Sequence, residues 1–206
     1  MCGRVKLEGD FSEIKIKFSI PPDYPTPNLA PSWNVAPTDS LPIVRYEPKG
    51  GHRTLDLMRW GLVPYWAKDI KIGFSTINAQ AETVDTKPAF RDAFKRRRCL
   101  APIEACYEWK KLDAKNKQPY AIALADRGVM ALAGLWENWK SPAEEWMRSW
   151  TPPRTVFSVR HERHFGTAVE AAGAPGDIGG SATLGYRFFA QAGAVCAVSQ
   201  TRRFML

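Results

Sequence analysis

Leu41-Pro42-Ile43-Val44-Arg45-Tyr46 and Thr54-Leu55-Asp56-Leu57-Met58-Arg59-Trp60 decide the fold class. Both runs are rich in aliphatic, β-branched and aromatic residues, and Pro48, Gly50 and Gly51 punctuate the gap between them. Residues 120–124 and 129–135 carry the same strand signal. Helical patterning is scarcer. The best stretch is 87–97, with Pro88 near its start and Phe90 and Phe94 four apart on one face. No internal repeat and no βαβ alternation appears, so the pattern predicts a β-rich α+β single domain.

The composition agrees with that reading. A chain of 206 residues, 45% hydrophobic and 24% charged, is large enough for one domain with a sizeable core. It is too apolar for wholesale disorder, and no run of about 18 apolar residues suggests a membrane span. Lys and Arg number 29 against 21 Asp and Glu, a formal +8 that suits an anionic partner, with nucleic acid first in line. Four cysteines, at 2, 99, 106 and 196, lack the close spacing of a zinc site or the density of a secreted disulfide framework, and read as reduced thiols. The charged N-terminus is unlike a signal peptide, so the expectation is a cytoplasmic protein, without membrane association. The three histidines (52, 161, 164) and the scattered cysteines form no metal-ligand pattern, so neither a metal nor an organic cofactor is expected.

Near Thr151 the character of the chain changes. All eight tryptophans lie before this point, no lysine follows it, and seven of the 15 glycines fall in the last 55 residues. Residues 1–151 therefore read as the folded region and 152–206 as an atypical tail.

Cys2 carries the most chemical information. A small residue after the initiator methionine permits removal of Met1, which leaves an N-terminal cysteine with thiol and α-amine on one residue. Their ordinary pKa values, about 8.5 and about 8, give both a reactive fraction near neutral pH. Such a 1,2-aminothiol condenses with an aldehyde to a thiazolidine. Alternatively, the thiol attacks an acyl carbon with the amine as its base, as in N-terminal nucleophile hydrolases.

Six downstream segments join Met1-Cys2-Gly3-Arg4: Asn34-Val35-Ala36-Pro37-Thr38, Trp60-Gly61-Leu62-Val63-Pro64-Tyr65-Trp66, Asn78-Ala79-Gln80-Ala81-Glu82-Thr83, Lys87-Pro88-Ala89-Phe90-Arg91, Arg97-Arg98-Cys99-Leu100-Ala101-Pro102 and Tyr107-Glu108-Trp109. In this order they resemble the SOS response-associated peptidase (SRAP) family, proteins that crosslink covalently to abasic sites in single-stranded DNA. The resemblance covers about residues 1–151. It implies barrel-like antiparallel sheets with flanking helices, Cys2 as nucleophile, Glu108 as general acid/base and Asn78 beside the nucleophile, holding the α-amine. Rings flanking Glu108 are suited to keeping its carboxyl from bulk water, which favours proton shuttling. The implied partner is single-stranded DNA containing abasic sites, bound by a monomer. Arg4, Arg97 and Arg98 are the implied phosphate contacts, and Trp66 a base-stacking face. Trp60 reads equally as a stacking face or as core. Gln80 stands where many relatives place Arg, which weakens one expected phosphate contact.

The family pattern breaks after Thr151. Pro152 and Pro153 cannot donate ladder hydrogen bonds in a central strand. His161-Glu162-Arg163 satisfies the family's His-x-Arg, yet His164-Phe165 replaces Met-Pro. The tail reads as a frameshifted continuation. A divergent tail that rebuilds the site with His161 or His164 is the competing reading. A cysteine peptidase with an N-terminal nucleophile, a non-enzymatic single-strand-binding module, and a protein inactive through loss of the C-terminal half-site stay open as alternatives.

Overall fold

The computed structural model describes residues 3–124 and 126–154, and the backbone alone at Arg154. The tail beyond Arg154, Met1 and Cys2 lie outside the described residues. A closed five-stranded barrel forms the centre, in the order β10-β4-β3-β6-β9: β3 (Ser40–Glu47), β4 (His52–Trp60), β6 (Arg98–Ile103), β9 (Met130–Lys140) and β10 (Trp146–Thr151). All its pairings are antiparallel except β10 with β4. Closure leaves this sheet without an open edge. The two runs quoted first are the heart of the barrel: they pair as β3 and β4 from Ser40↔Arg59 to Glu47↔His52.

Beside it lies a four-stranded antiparallel sheet of order β2-β1-β7-β8, built from β1 (Val5–Leu7), β2 (Ser32–Val35), β7 (Ala105–Lys111) and β8 (Lys117–Ala123). One core serves both sheets. Val5, Val35, Cys106 and Ile122 share a buried cluster with Leu41, Ile43, Val44, Leu55, Met58, Trp60, Ile103 and Trp150. Leu41 to Val44 of β3 are buried on both faces, which explains why that run reads as continuously apolar rather than alternating. Helix α1 (Phe11–Lys17), capped by the Asp10 side chain accepting from the Ser12 N–H, adds Ile14 to the same core.

The helix expected over 87–97 is regular only as α2 (Arg91–Arg96), preceded by turns in which the Phe90 and Arg91 N–H groups bond back to Lys87. Its Phe90 and Phe94 do share one face, packing with Leu62, Ala79, Ala93 and Leu135. Short strands β5 (Ala79–Gln80) and β11 (Pro153–Arg154) pair in parallel. The two prolines are accommodated because Pro152 contributes only its carbonyl, which accepts from the Ala79 N–H at 3.0 Å. That is a role proline can fill at a sheet edge.

Two glycines hold the end of the barrel together. Gly61 follows β4 with φ +110°, and a Cβ there would lie 2.6 Å from the Gly73 carbonyl oxygen. A Cβ on Gly134 in mid-β9 would lie 3.0 Å from the Cys99 sulfur, 3.2 Å from the Trp150 ring and 3.3 Å from the Thr151 carbonyl oxygen.

Candidate active site

The strand that leads from the N-terminus is held between β2 and β7. The Tyr107 N–H donates to the Arg4 carbonyl at 2.9 Å, and the Glu104 N–H to the Lys6 carbonyl at 2.9 Å. With Val5 opposite Cys106, continuation of this antiparallel register carries Gly3 toward Glu108. Glu108 is half-buried. Two residues from buried Cys106, it emerges on the core-facing side of the sheet, just past the packed interior. Its cross-strand neighbour is Tyr120, which is 41% exposed. Arg4 donates to the Gly3 carbonyl at 3.2 Å.

A second layer of contacts stiffens this strand. Lys6 bridges Glu8 at 2.7 Å and Glu104 at 3.1 Å, and its ammonium sits 3.8 Å from the centre of the Trp33 ring. Burial opposes its charge, but the hydrogen bonds Lys6 donates to the two carboxylates prevail and hold it above its ordinary pKa. The Tyr107 hydroxyl donates to the Trp33 carbonyl at 3.0 Å, and burial raises its pKa.

Asn78 arrives from a different part of the chain and is gripped on both sides. Before it, the Ile77 carbonyl accepts from the Trp60 indole N–H at 2.8 Å; after it, Ala79 donates to Pro152. Trp60 is completely buried and packs on Trp150 with ring centres 5.6 Å apart. Trp60 is therefore core, and a base-stacking role for it is excluded by its lack of any exposed face.

Trp66 keeps the exposure expected of a stacking face, 47%. It stands up because its loop is pinned from below: Trp139 donates to the Ala67 carbonyl at 2.7 Å, and the Ala67 N–H closes a turn on Pro64. Arg97 and Arg98, the other implied phosphate contacts, lie where α2 gives way to β6. Arg97 turns to Glu137, at 2.7 Å, while Arg98 opens β6 and is exposed. Burial raises the Glu137 pKa, with Arg97 pulling against it.

Arg4 and Glu108 thus meet in one sheet, Asn78 is fixed at the ends of β4 and β10, and Arg97 is committed to an ion pair. Cys2 and His161 lie outside the described residues. Sequence reading missed Tyr120 and the Pro152 clamp. Register alone brings the first beside Glu108, and no local signal marks the second. Among the described residues no group of three or more His, Cys, Asp or Glu is arranged to hold a metal ion, and no helix is long and apolar enough to cross a membrane. Cys99 and Cys106 are buried, and burial raises the Cys99 pKa.

A barrel flanked by a sheet that holds the N-terminal strand against a carboxylate defines the class of fold, and the comparisons place the chain within it. Residues 1–156 match the model of the SOS response associated peptidase (SRAP) family, and the chain belongs to that family. Over 142 residues it is 43% identical to the abasic site processing protein YoqW of Bacillus subtilis, covering 69% of this chain and 62% of that one. It is also 29% identical over 133 residues to mouse abasic site processing protein HMCES, covering 53% and 38%. The chain spans about three fifths of the length of the bacterial relative. A crystal structure of a Bacteroides thetaiotaomicron protein shares the fold with a TM-score of 0.63 at 21% identity, covering 73% of this chain and 66% of that one.

Proposed function

We propose that this chain processes abasic sites in single-stranded DNA by capturing them covalently through Cys2, as part of the DNA damage (SOS) response. The observation that carries the proposal is the bond from the Tyr107 N–H to the Arg4 carbonyl, which ties the N-terminal strand to the segment bearing Glu108. The abasic site processing relatives support the substrate class.

The chemistry follows from the groups. Removal of Met1, a peptidase step, frees the α-amine of Cys2. The amine attacks the ring-opened C1′ aldehyde to give a carbinolamine, and loss of water gives an imine. The thiolate then adds to the imine carbon, and the nitrogen takes up a proton. A thiazolidine results, with water as the sole by-product. Glu108 supplies and removes the protons for ring opening and dehydration, Asn78 holds the amine, and His161 is the proposed histidine beside the nucleophile. Arg4, Arg98 and Trp66 hold the strand. Arg97 joins them only by giving up part of its bond to Glu137.

The test is incubation of the full chain with single-stranded DNA bearing one abasic site, read as a denaturant-resistant band. Wild type is expected to form the band, and Cys2→Ala or retention of Met1 to abolish it. A band that survives Cys2→Ala overturns the thiazolidine. Protein cleavage that needs Cys2, without crosslinking, favours the peptidase. Salt-sensitive binding alone favours a binding module. Glu108→Gln is expected to slow crosslinking about 10²-fold or more while leaving affinity for an undamaged strand within twofold.

A further inference from the structure

The hairpin formed by β7 and β8 projects beyond Glu108 and carries a charge that the fold does not use. Residues 109–120 contain Lys110, Lys111, Lys115 and Lys117 against a single acid, Asp113, a net +3. Three of these lysines are exposed and Lys110 is half-exposed. Among the described residues none of the four forms an ion pair, whereas Lys6 and Lys140 both do. The Asp113 carboxylate is turned back into the hairpin tip, accepting from the N–H groups of Lys115 and Asn116 at 2.8 and 2.9 Å and from the Asn116 amide at 2.8 Å.

The register adds an independent sign. Lys111 lies directly opposite Lys117. Like charges facing each other across two strands, with Cβ atoms about 5 Å apart, destabilise the pairing. A phosphate seated between the two ammonium groups converts that repulsion into attraction. Trp109, 45% exposed, shares its face of the hairpin with Lys111 and Lys117, and Tyr120, 41% exposed, shares the other face with Glu108 and Lys110, so each face pairs a cation with an open ring, as single-strand binding requires. Lys111 is three residues from Glu108, about 10 Å along the strand and on the opposite face, so a DNA strand leaving the reactive sugar reaches it by passing over the β8 edge of the sheet.

We infer that this hairpin is an electrostatic track for the DNA strand flanking the reactive sugar, with Lys111 and Lys117 as a phosphate seat. The inference deepens the function proposed above, and it predicts an unusual combination of effects. Replacing either lysine is expected to raise the melting temperature at low salt while weakening DNA binding.

The experiment uses the full chain, with an undamaged single-stranded oligonucleotide as probe and fluorescence anisotropy at several salt concentrations. Lys111→Gln and Lys117→Gln should each weaken binding several-fold at low salt. Each should also make the slope of log affinity against log salt shallower by about 0.7. An unchanged affinity and slope in both variants overturns the track. So does a melting temperature that falls in step with affinity, since that would report damage to the hairpin. Displacement of the probe by polyglutamate as effectively as by unlabelled DNA would assign the surface to acidic proteins and equally overturn it. Binding without crosslinking to abasic DNA would instead sink the covalent mechanism and leave the track standing. Crosslinking with lysine variants of unaltered affinity would do the reverse.

Discussion

At the scale of single residues, two positions hold conformations or charges that only their surroundings permit. Gly61 combines φ +110° with a carbonyl oxygen 2.6 Å from where a Cβ would sit, so no other residue enters without moving the Gly73 backbone. Gly61→Ala is expected to cost about 2–4 kcal/mol in denaturant unfolding. A loss below about 1 kcal/mol would show that the two loops separate easily. Glu137 is nearly buried and depends on Arg97 for compensation. Burial raises its folded pKa, so protonated Glu137 is favoured by folding, and the charged form weakens stability as pH rises through that raised value. Arg97→Met removes the group that pulls the pKa down. The variant is expected to lose about 2–3 kcal/mol at neutral pH, a loss that shrinks as pH falls toward 4. Unfolding curves across that range decide it, and a loss independent of pH would remove Glu137 from the account.

At the scale of elements, the instructive feature is how a buried indole orders a polar loop. Trp60 ends β4, packs on Trp150 of β10 and donates to the carbonyl just before Asn78. The adjoining Pro152 carbonyl holds the residue just after it. Trp60→Phe keeps the ring and removes the donor, so it is expected to slow crosslinking about tenfold, the effect of a misplaced Asn78. In an Asn78→Ala background the same substitution should add little, because both changes act through one group. Full additivity in the double-mutant cycle would mean that Trp60 acts only through general stability. The strand assignments show the same dependence on partners. β3 and β4 were legible because both carry long β-rich runs. β1, with three residues, and β2, with four, are too short for any periodicity to show, and exist because β7 and the barrel offer them a place.

For the molecule as a whole, the basic excess is sorted by tertiary structure into used and unused charge. Arg45 is buried between Asp56 and Glu47, and Arg97 is spent on Glu137. The lysines of the β7–β8 hairpin keep their charge for solvent or for DNA. In a combined Lys111→Gln and Lys117→Gln variant, crosslinking at saturating abasic DNA is expected to proceed at the wild-type rate, with the loss confined to the DNA concentration needed for half-maximal rate. A lower rate at saturation would place the hairpin in the chemistry itself.

Local order and composition were enough to settle some of this in advance. Runs rich in β-formers require strands wherever they lie, so the β-rich class followed from the sequence. The ordered motifs from Met1 to Trp109 marked the family and pointed to Arg4, Asn78 and Glu108, because motif identity survives without coordinates. Other matters depend on which strands become neighbours. Trp60 was ambiguous until closure of the barrel buried it against Trp150. Arg97 read as a phosphate contact, and only the neighbouring β9 shows that Glu137 already holds it. Tyr120 and the Lys111–Lys117 pair had no signature at all, since cross-strand register is a relation between residues that the linear chain keeps apart.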